Sequence, residues 1–336
     1  MPLAAVLVGA GCTGDDVGEP VARVTAGETV EIASRGGWVA VDVGDEVPAG
    51  ARVRTGEAEA RLAFASGRVW LAPQGAVAVD DDRVELLRGE ALVVSSGDLA
   101  ARWTDVEVSG EGVYRLTPGI APRLGVYRGE VEVRRPAEMR TVAALREASL
   151  SARRLPSSGR LLSYRPDDPW DQILLREPIA FDGEAERIGR DLAGKYGTAA
   201  RPAEFYTGFA LTPEGTVPTL FAEGGADGRI DADVPGEALL RLFMAEAAAQ
   251  RQTPEALEHA VRQVIELRST GARWGLVAAE LGVTRRQLVD VAEAGQARHT
   301  VFVAQRAVSP PPTGPHDATG EETPAPVASC GPVGGG

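Results

Sequence analysis

Residues 53–73 read VRTGEAEARLAFASGRVWLAP, and three later segments share its character, with RVELLRGEALVV over 83–94, GVYRLTPG over 112–119 and LGVYRGEVEVRR over 124–135. Apolar and polar residues alternate in Arg61-Leu62-Ala63-Phe64, in Arg83-Val84-Glu85-Leu86 and in Glu130-Val131-Glu132-Val133. Side chains along a strand point to opposite faces in turn, so this period of two predicts strands with one buried and one solvated face. The runs are bounded by Gly, Pro, Asp or Ser, residues that turn a chain for distinct steric and hydrogen-bonding reasons.

Outward from that region the same pattern predicts strands at 30–33, 38–43, 52–54, 58–64, 68–71, 76–79, 83–87, 91–95, 101–104, 106–109, 113–116, 124–127 and 130–134, with one or two closing strands within 141–152. So many short strands with no helix between them imply an all-β body of sandwich or jelly-roll type. Residues 137–171 are a transition, in which Arg165-Pro166-Asp167-Asp168-Pro169-Trp170-Asp171 reads as a rigid turn.

Beyond it the period becomes helical. Helices are predicted over 182–196 with Asp182 as cap, over 235–251, over 254–268 with Thr253 as cap and Pro254 at the first position, over 274–281 and over 284–294. After about residue 305 the chain is rich in Pro, Gly and Thr and reads as a disordered tail. The expected organisation is a multidomain β + α chain: a leader (1–12), a tether (13–28) that could also hold a first strand, a β domain (29–160), an all-α domain (161–304) and a tail (305–336).

With 336 residues the chain can hold two ordinary domains. A formal charge of −13 argues against nonspecific nucleic-acid binding, which depends on Lys and Arg neutralising phosphates. The basic residues are nearly all Arg, with Lys195 the one lysine. Two cysteines, Cys12 and Cys330, cannot make a disulfide framework.

Residues 1–11 (MPLAAVLVGAG) are uncharged and mostly apolar, too short to span a bilayer but of the length of a secretory h-region. Gly9, Ala10 and Gly11 stand directly before Cys12, and polar Thr13-Gly14-Asp15-Asp16 follows. This arrangement resembles the lipobox of bacterial lipoproteins, with Gly9 where Leu is usual and no basic residue ahead. The resemblance implies lipidation of Cys12 and a membrane-anchored, extracytoplasmic protein.

Read in order, the β segments resemble the FecR domain, a periplasmic or extracellular sensing and binding domain. Arg54-Thr55-Gly56 matches its "RTG" turn, and Ser66-Gly67 stands in the turn where the family carries "DG". Val84 and Leu86 with Gly89-Glu90-Ala91 fit its "L-x-x-G-E" segment. Gly112-Val113-Tyr114-Arg115 stands at "GT-x-F", and Gly129-Glu130-Val131-Glu132-Val133 matches the closing "G-x-V-x-V". The resemblance spans roughly residues 36–134. It implies an envelope-facing sensing module, with Arg54, Thr55, Gly56, Gly67, Gly89, Gly112 and Gly129 at family turn positions. FecR signal transducers carry a cytoplasmic segment and a transmembrane helix ahead of this domain. Neither is legible here, so the expectation is a sensing or adhesion module without that output. The glycines equally suit positive-φ turns that only build a fold.

Residues 274–288 (WGLVAAELGVTRRQL) resemble a helix-turn-helix, with Ala279 as the small residue, Gly282 as the turn and Thr284 as cap of a recognition helix presenting Arg285, Arg286 and Gln287. An αα-hairpin with a glycine turn uses the same residues for packing, and acidic Asp290 and Glu293 stand close by. Asp227-Gly228-Arg229-Ile230-Asp231 resembles the middle of a calcium loop, but the twelfth position would be Val234, which supplies no carboxylate. His259, His299 and His316 have no ligand spacing, and neither nucleophile-elbow, phosphate-loop nor zincin motifs occur.

The sequence therefore points to a non-enzymatic, lipid-anchored envelope protein without metal or cofactor. It would bind a protein or glycan partner and not nucleic acid. The alternative is a cytoplasmic helix-turn-helix regulator using residues 274–294.

Overall fold

In a computed structural model of the chain, residues 19–34, 36–150, 155, 159–199, 201, 203–209, 235–249 and 253–308 are described. They form an N-terminal part made of strands and a C-terminal part made of helices. The strands are β1 (Pro20–Ala26), β2 (Val30–Ser34), β3 (Gly37–Val41), β4 (Glu46–Pro48), β5 (Arg52–Thr55), β6 (Ala60–Phe64), β7 (Gly67–Leu71), β8 (Ala76–Asp80), β9 (Arg83–Arg88), β10 (Ala91–Trp103), β11 (Val106–Thr117), β12 (Arg123–Arg135), β13 (Glu138–Ala143), β14 (Arg146–Ser149) and β15 (Arg160–Leu161). They join in one hydrogen-bonded network whose longest path runs β15-β14-β12-β11-β10-β9-β8-β5-β2-β3.

Alternation decides which face is buried. Ala60, Leu62 and Phe64 of β6, Val77 and Val79 of β8, and Val84 and Leu86 of β9 all enter one apolar core. The region 13–28, read as a tether or a first strand, contains β1, which pairs with β4 and β6. Val24 of β1 is buried in the core, and that apolar contact holds this stretch as a strand.

Six of the expected strands fuse into three long ones. The 91–95 and 101–104 segments are one strand, β10, as are 106–109 with 113–116 (β11) and 124–127 with 130–134 (β12). The glycines that read as breaks lie inside these strands, and two of the three, β10 and β12, change neighbours along their length. β10 pairs with β7 through Ala91–Ser95 and with β9 through Ala100–Arg102, while β12 pairs with β14 before Arg128 and with β13 after it. At the crossover a rank of small residues stands in register across four strands: Gly67 opposite Ser95, Ser95 opposite Gly112, and Gly112 opposite Gly129. A Cβ on Gly112 would lie 2.4 Å from the Arg128 carbonyl oxygen, and one on Gly129 2.2 Å from that of Glu111. Only glycine allows backbones this close where a sheet kinks.

The helices are α1 (Pro169–Leu174), α2 (Arg176–Tyr196), α3 (Ala203–Thr207), α4 (Pro235–Ala248), α5 (Pro254–Ser269), α6 (Trp274–Leu281) and α7 (Arg285–Val308). Thr253 caps α5, its hydroxyl accepting from the Ala256 N–H, with Pro254 in the first turn. In α4, Ala238, Leu239, Leu240, Leu242, Phe243, Met244 and Ala245 are all buried, as befits a helix enclosed by its neighbours. Against it and α6 pack Phe181, Ala185, Ile188 and Leu192 of α2. The closest approach is at Gly275, where a Cβ would meet the Pro178 carbonyl oxygen at 1.9 Å.

Two helix expectations change. Asp182 is not a cap: α2 begins six residues earlier, and the Asp182 carboxylate is buried within it, accepting hydrogen bonds from the Gly275 N–H (2.8 Å) and the Tyr164 hydroxyl. The helix expected at 284–294 continues to Val308, because Gly295 does not break it but seats the Phe243 ring, which a Cβ there would meet at 2.5 Å.

Candidate functional site

The strand part and the helical part meet in one core. Leu92, Tyr127, Leu161 and Leu162 pack with Trp170, Leu175 and the apolar faces of the longer helices. Over this core lies a polar junction built by the segment 165–171. Asp168 is the N-cap of α1: its Oδ1 accepts from the Trp170 N–H (3.0 Å) and the Asp171 N–H (3.1 Å), and Pro169 opens the helix. Its other oxygen, Oδ2, accepts from Arg115 of β11 at 2.9 Å and from Arg165 at 2.8 Å.

Arg115 is the hub. Its Nε donates to Glu90 Oε2 at 2.8 Å, its guanidinium lies 3.7 Å from Asp171 Oδ1, and its Cζ stands 5.0 Å from the Trp170 ring centroid. The fork-shaped guanidinium can serve several carboxylates at once, which an ammonium could not do in one plane. Asp171 in turn accepts from the Tyr127 hydroxyl (2.5 Å) and the Arg165 N–H (2.8 Å). Trp170 Nε1 donates to Glu59 Oε2, just ahead of β6, at 3.1 Å, adding a further bond from α1 to the strand part.

Burial and charge divide the acids. Burial pushes Asp171 up, only partly offset by the hydrogen bonds from the Arg165 N–H and Tyr127. Burial acts the same way on Asp168, but the Arg115 guanidinium outweighs it and holds that carboxyl below its usual range. Tyr127 is raised, first by burial and then by its bond to Asp171. The charges of the junction point at one another: a clamp between β11, β12 and α1. Beside it opens a cleft of about 140 Å³ lined by Thr117, Arg123, Glu147, Ser163 and Tyr164. There Glu147 is held by Arg160 and by the Ser163 N–H at 2.9 Å.

The residues singled out from the sequence lie elsewhere. Arg54 pairs with Glu31 and stacks 4.3 Å from the Trp38 ring centroid. Thr55 is buried, its hydroxyl donating to the Ala72 carbonyl and accepting from the Gly75 N–H, each at 2.8 Å. The Gly56 N–H donates to the Thr29 carbonyl at 2.9 Å. Gly89 has a φ of +77° and backs onto Gly75. Gly67, Gly112 and Gly129 form the small-residue rank already described. These positions hold turns and crossings and do not converge on one site.

Gly282 is left-handed, with φ +69°, and ends α6. Thr284 and Gln287 cap α7 reciprocally: the Thr284 N–H donates to Gln287 Oε1 at 2.8 Å and the Gln287 N–H to Thr284 Oγ1 at 3.3 Å. Arg285 lies 3.4 Å from Glu177 and Arg286 3.7 Å from Asp290, and Ala279 is exposed. Cys12, Cys330, His316 and the 227–231 acidic turn lie outside the described residues. Among the described residues no group of three or more His, Cys, Asp or Glu could hold a metal ion, and no helix is long and apolar enough to cross a membrane.

Sequence reading missed the junction. Its one local signal was Asp168-Pro169, a cap followed by a first-turn proline, which read only as a turn. Arg115 gave no signal, since its partner Asp168 is 53 residues away.

No family profile matches the chain, and no curated protein matches it significantly. Two solved structures of a candidate anti-sigma factor from Parabacteroides distasonis ATCC 8503, at 2.50 and 1.65 Å resolution, are similar to it. Identities are 16% and 15%, each covering 44% of this chain and 75% or 76% of theirs, with a TM-score of 0.28 in both cases. An overlap that loose carries no argument about fold or function.

Proposed function

We propose that this chain is a non-enzymatic sensing and binding protein of the cell envelope, of the FecR-like kind, held to the membrane by a lipid on Cys12. Its strand part would receive a protein or glycan partner. The observation that carries the reading is the order of FecR-like motifs along a strand body that Arg115 clamps to a helical part. A partner seated on the strands would then act on a joined unit rather than on a freely tethered module, because the two parts share a core as well as a polar clamp. A reading of DNA by residues 274–294 has no comparable support, since Arg285 and Arg286 each face a carboxylate.

Fractionation of cells carrying the wild-type chain or Cys12→Ala tests the proposal. The wild type is expected in the membrane fraction and released from it by detergent, with Cys12→Ala shifted to the soluble fraction. The same cytosolic pool for both would sink the envelope reading.

A further inference from the structure

Among the described residues four strands, β3, β4, β13 and β15, pair with a single neighbour and so are edges of the sheet. A strand edge offers its free N–H and C=O groups to any extended chain, and proteins usually blunt such edges with charge, proline or brevity. Three of the four are blunted. β4 has three residues including Glu46 and Pro48, β15 has two including Arg160, and β13 carries Glu138 and Arg140.

β3 is not blunted. Its sequence GWVAV has neither charge nor proline, and Gly37 to Ala40 are all exposed. Trp38 is 38% exposed, Val39 53%, and Val43 just beyond it 59%. Val39 stands opposite Ile32, which packs on the margin of the strand core, so the exposed surface continues the buried one. Trp38 lies against the Arg54 guanidinium, 4.3 Å from ring centroid to Cζ, which presents the ring already ordered.

We propose that β3 is a self-association edge, on which a second copy of this chain lays its own β3 antiparallel and extends the sheet across a two-fold axis. The occupant follows from the strand's own sequence. In a register centred on Val39, Val39 faces its copy, Trp38 faces Ala40 and Gly37 faces Val41, so large side chains meet small ones about a β-branched pair. No like charges oppose one another within the strand. That matters for a chain of net charge −13, whose copies repel, because the contact itself adds no further repulsion. A five-residue strand pair buries less than the usual interface of about 1,600 Å², so the dimer is reversible and dissociates on dilution.

The test uses the full chain carrying Cys12→Ser and Cys330→Ser, followed by sedimentation from about 1 to 100 µM. Its mass is expected to rise with concentration to twice the monomer's. Val39→Lys puts a charge on the edge and is expected to sediment as a monomer throughout, with unchanged circular dichroism and melting temperature. Val39→Cys in the same background is expected to form an interchain disulfide dimer under mild oxidation, and Met139→Cys on the charged β13 edge is not. A parent chain that stays monomeric over the whole range overturns the proposal, as does a Val39→Lys dimer of unchanged affinity. Should Val39→Lys fail to fold, the cross-link decides: no Val39→Cys dimer, or equal cross-linking at Met139→Cys, overturns it.

Discussion

Replacing Arg115 with Met keeps an unbranched side chain against Trp170 and removes the one cation shared by Glu90, Asp168 and Asp171. The guanidinium is 11% exposed, and its partners Asp168 and Asp171 are 10% and 3% exposed. Removing one member of a buried ion pair typically costs about 3–5 kcal/mol, because the other is left charged and dry. Here Asp168 keeps Arg165 and its capping bonds, and Asp171 keeps Tyr127 and the Arg165 N–H, which places the loss at the low end, about 3 kcal/mol. That is a large share of the roughly 5–15 kcal/mol that holds a folded protein together. Urea unfolding, followed by tryptophan fluorescence and by far-ultraviolet circular dichroism, measures the loss at neutral pH.

The pH dependence gives a second reading. Arg115 holds Asp168 below its ordinary 3.8, so this contribution is present above that value and is lost as pH falls through the lower, folded-state pKa. The stability gap between wild type and Arg115→Met is therefore expected to be widest near neutrality and to narrow in acid. A gap under about 1 kcal/mol at neutral pH, or one that does not narrow by about pH 3, refutes the role given to Arg115.

Two further substitutions probe a close helix contact and a buried turn away from the clamp. Gly275→Ala puts a Cβ 1.9 Å from the Pro178 carbonyl oxygen and must separate α2 from α6. The cost should be at least about 2 kcal/mol in thermal or denaturant unfolding, and a near-neutral result would show that the helices can yield there. Thr55→Val keeps the shape but removes a hydroxyl that both donates to Ala72 and accepts from Gly75, for an expected loss of about 1–3 kcal/mol by denaturant unfolding. Thr55→Ser should recover most of that loss, and equal stability of Thr55→Val and wild type would rule out the hydroxyl's role in the turn.

The sequence alone determined the features that depend on near neighbours. Alternation in 61–64, 83–86 and 130–133 is a local property, and those residues are strands with the expected faces buried. Thr253 with Pro254 opens α5 as their side-chain chemistry dictates, and α6 spans 274–281 as its apolar run implies. The tertiary structure decided what depends on distant partners. Gly112 and Gly129 read as breaks because glycine usually ends a strand. Inside β11 and β12 the two instead face each other, where neighbouring backbones press too close for any Cβ. Asp182 reads as a cap because its neighbours in sequence cannot show that Gly275 and Tyr164, from other elements, will surround it with donors. The Arg115 clamp is of the same kind. Its worth comes from burial and from carboxylates brought together across the chain, and neither exists until the strand and helical parts have folded onto one core.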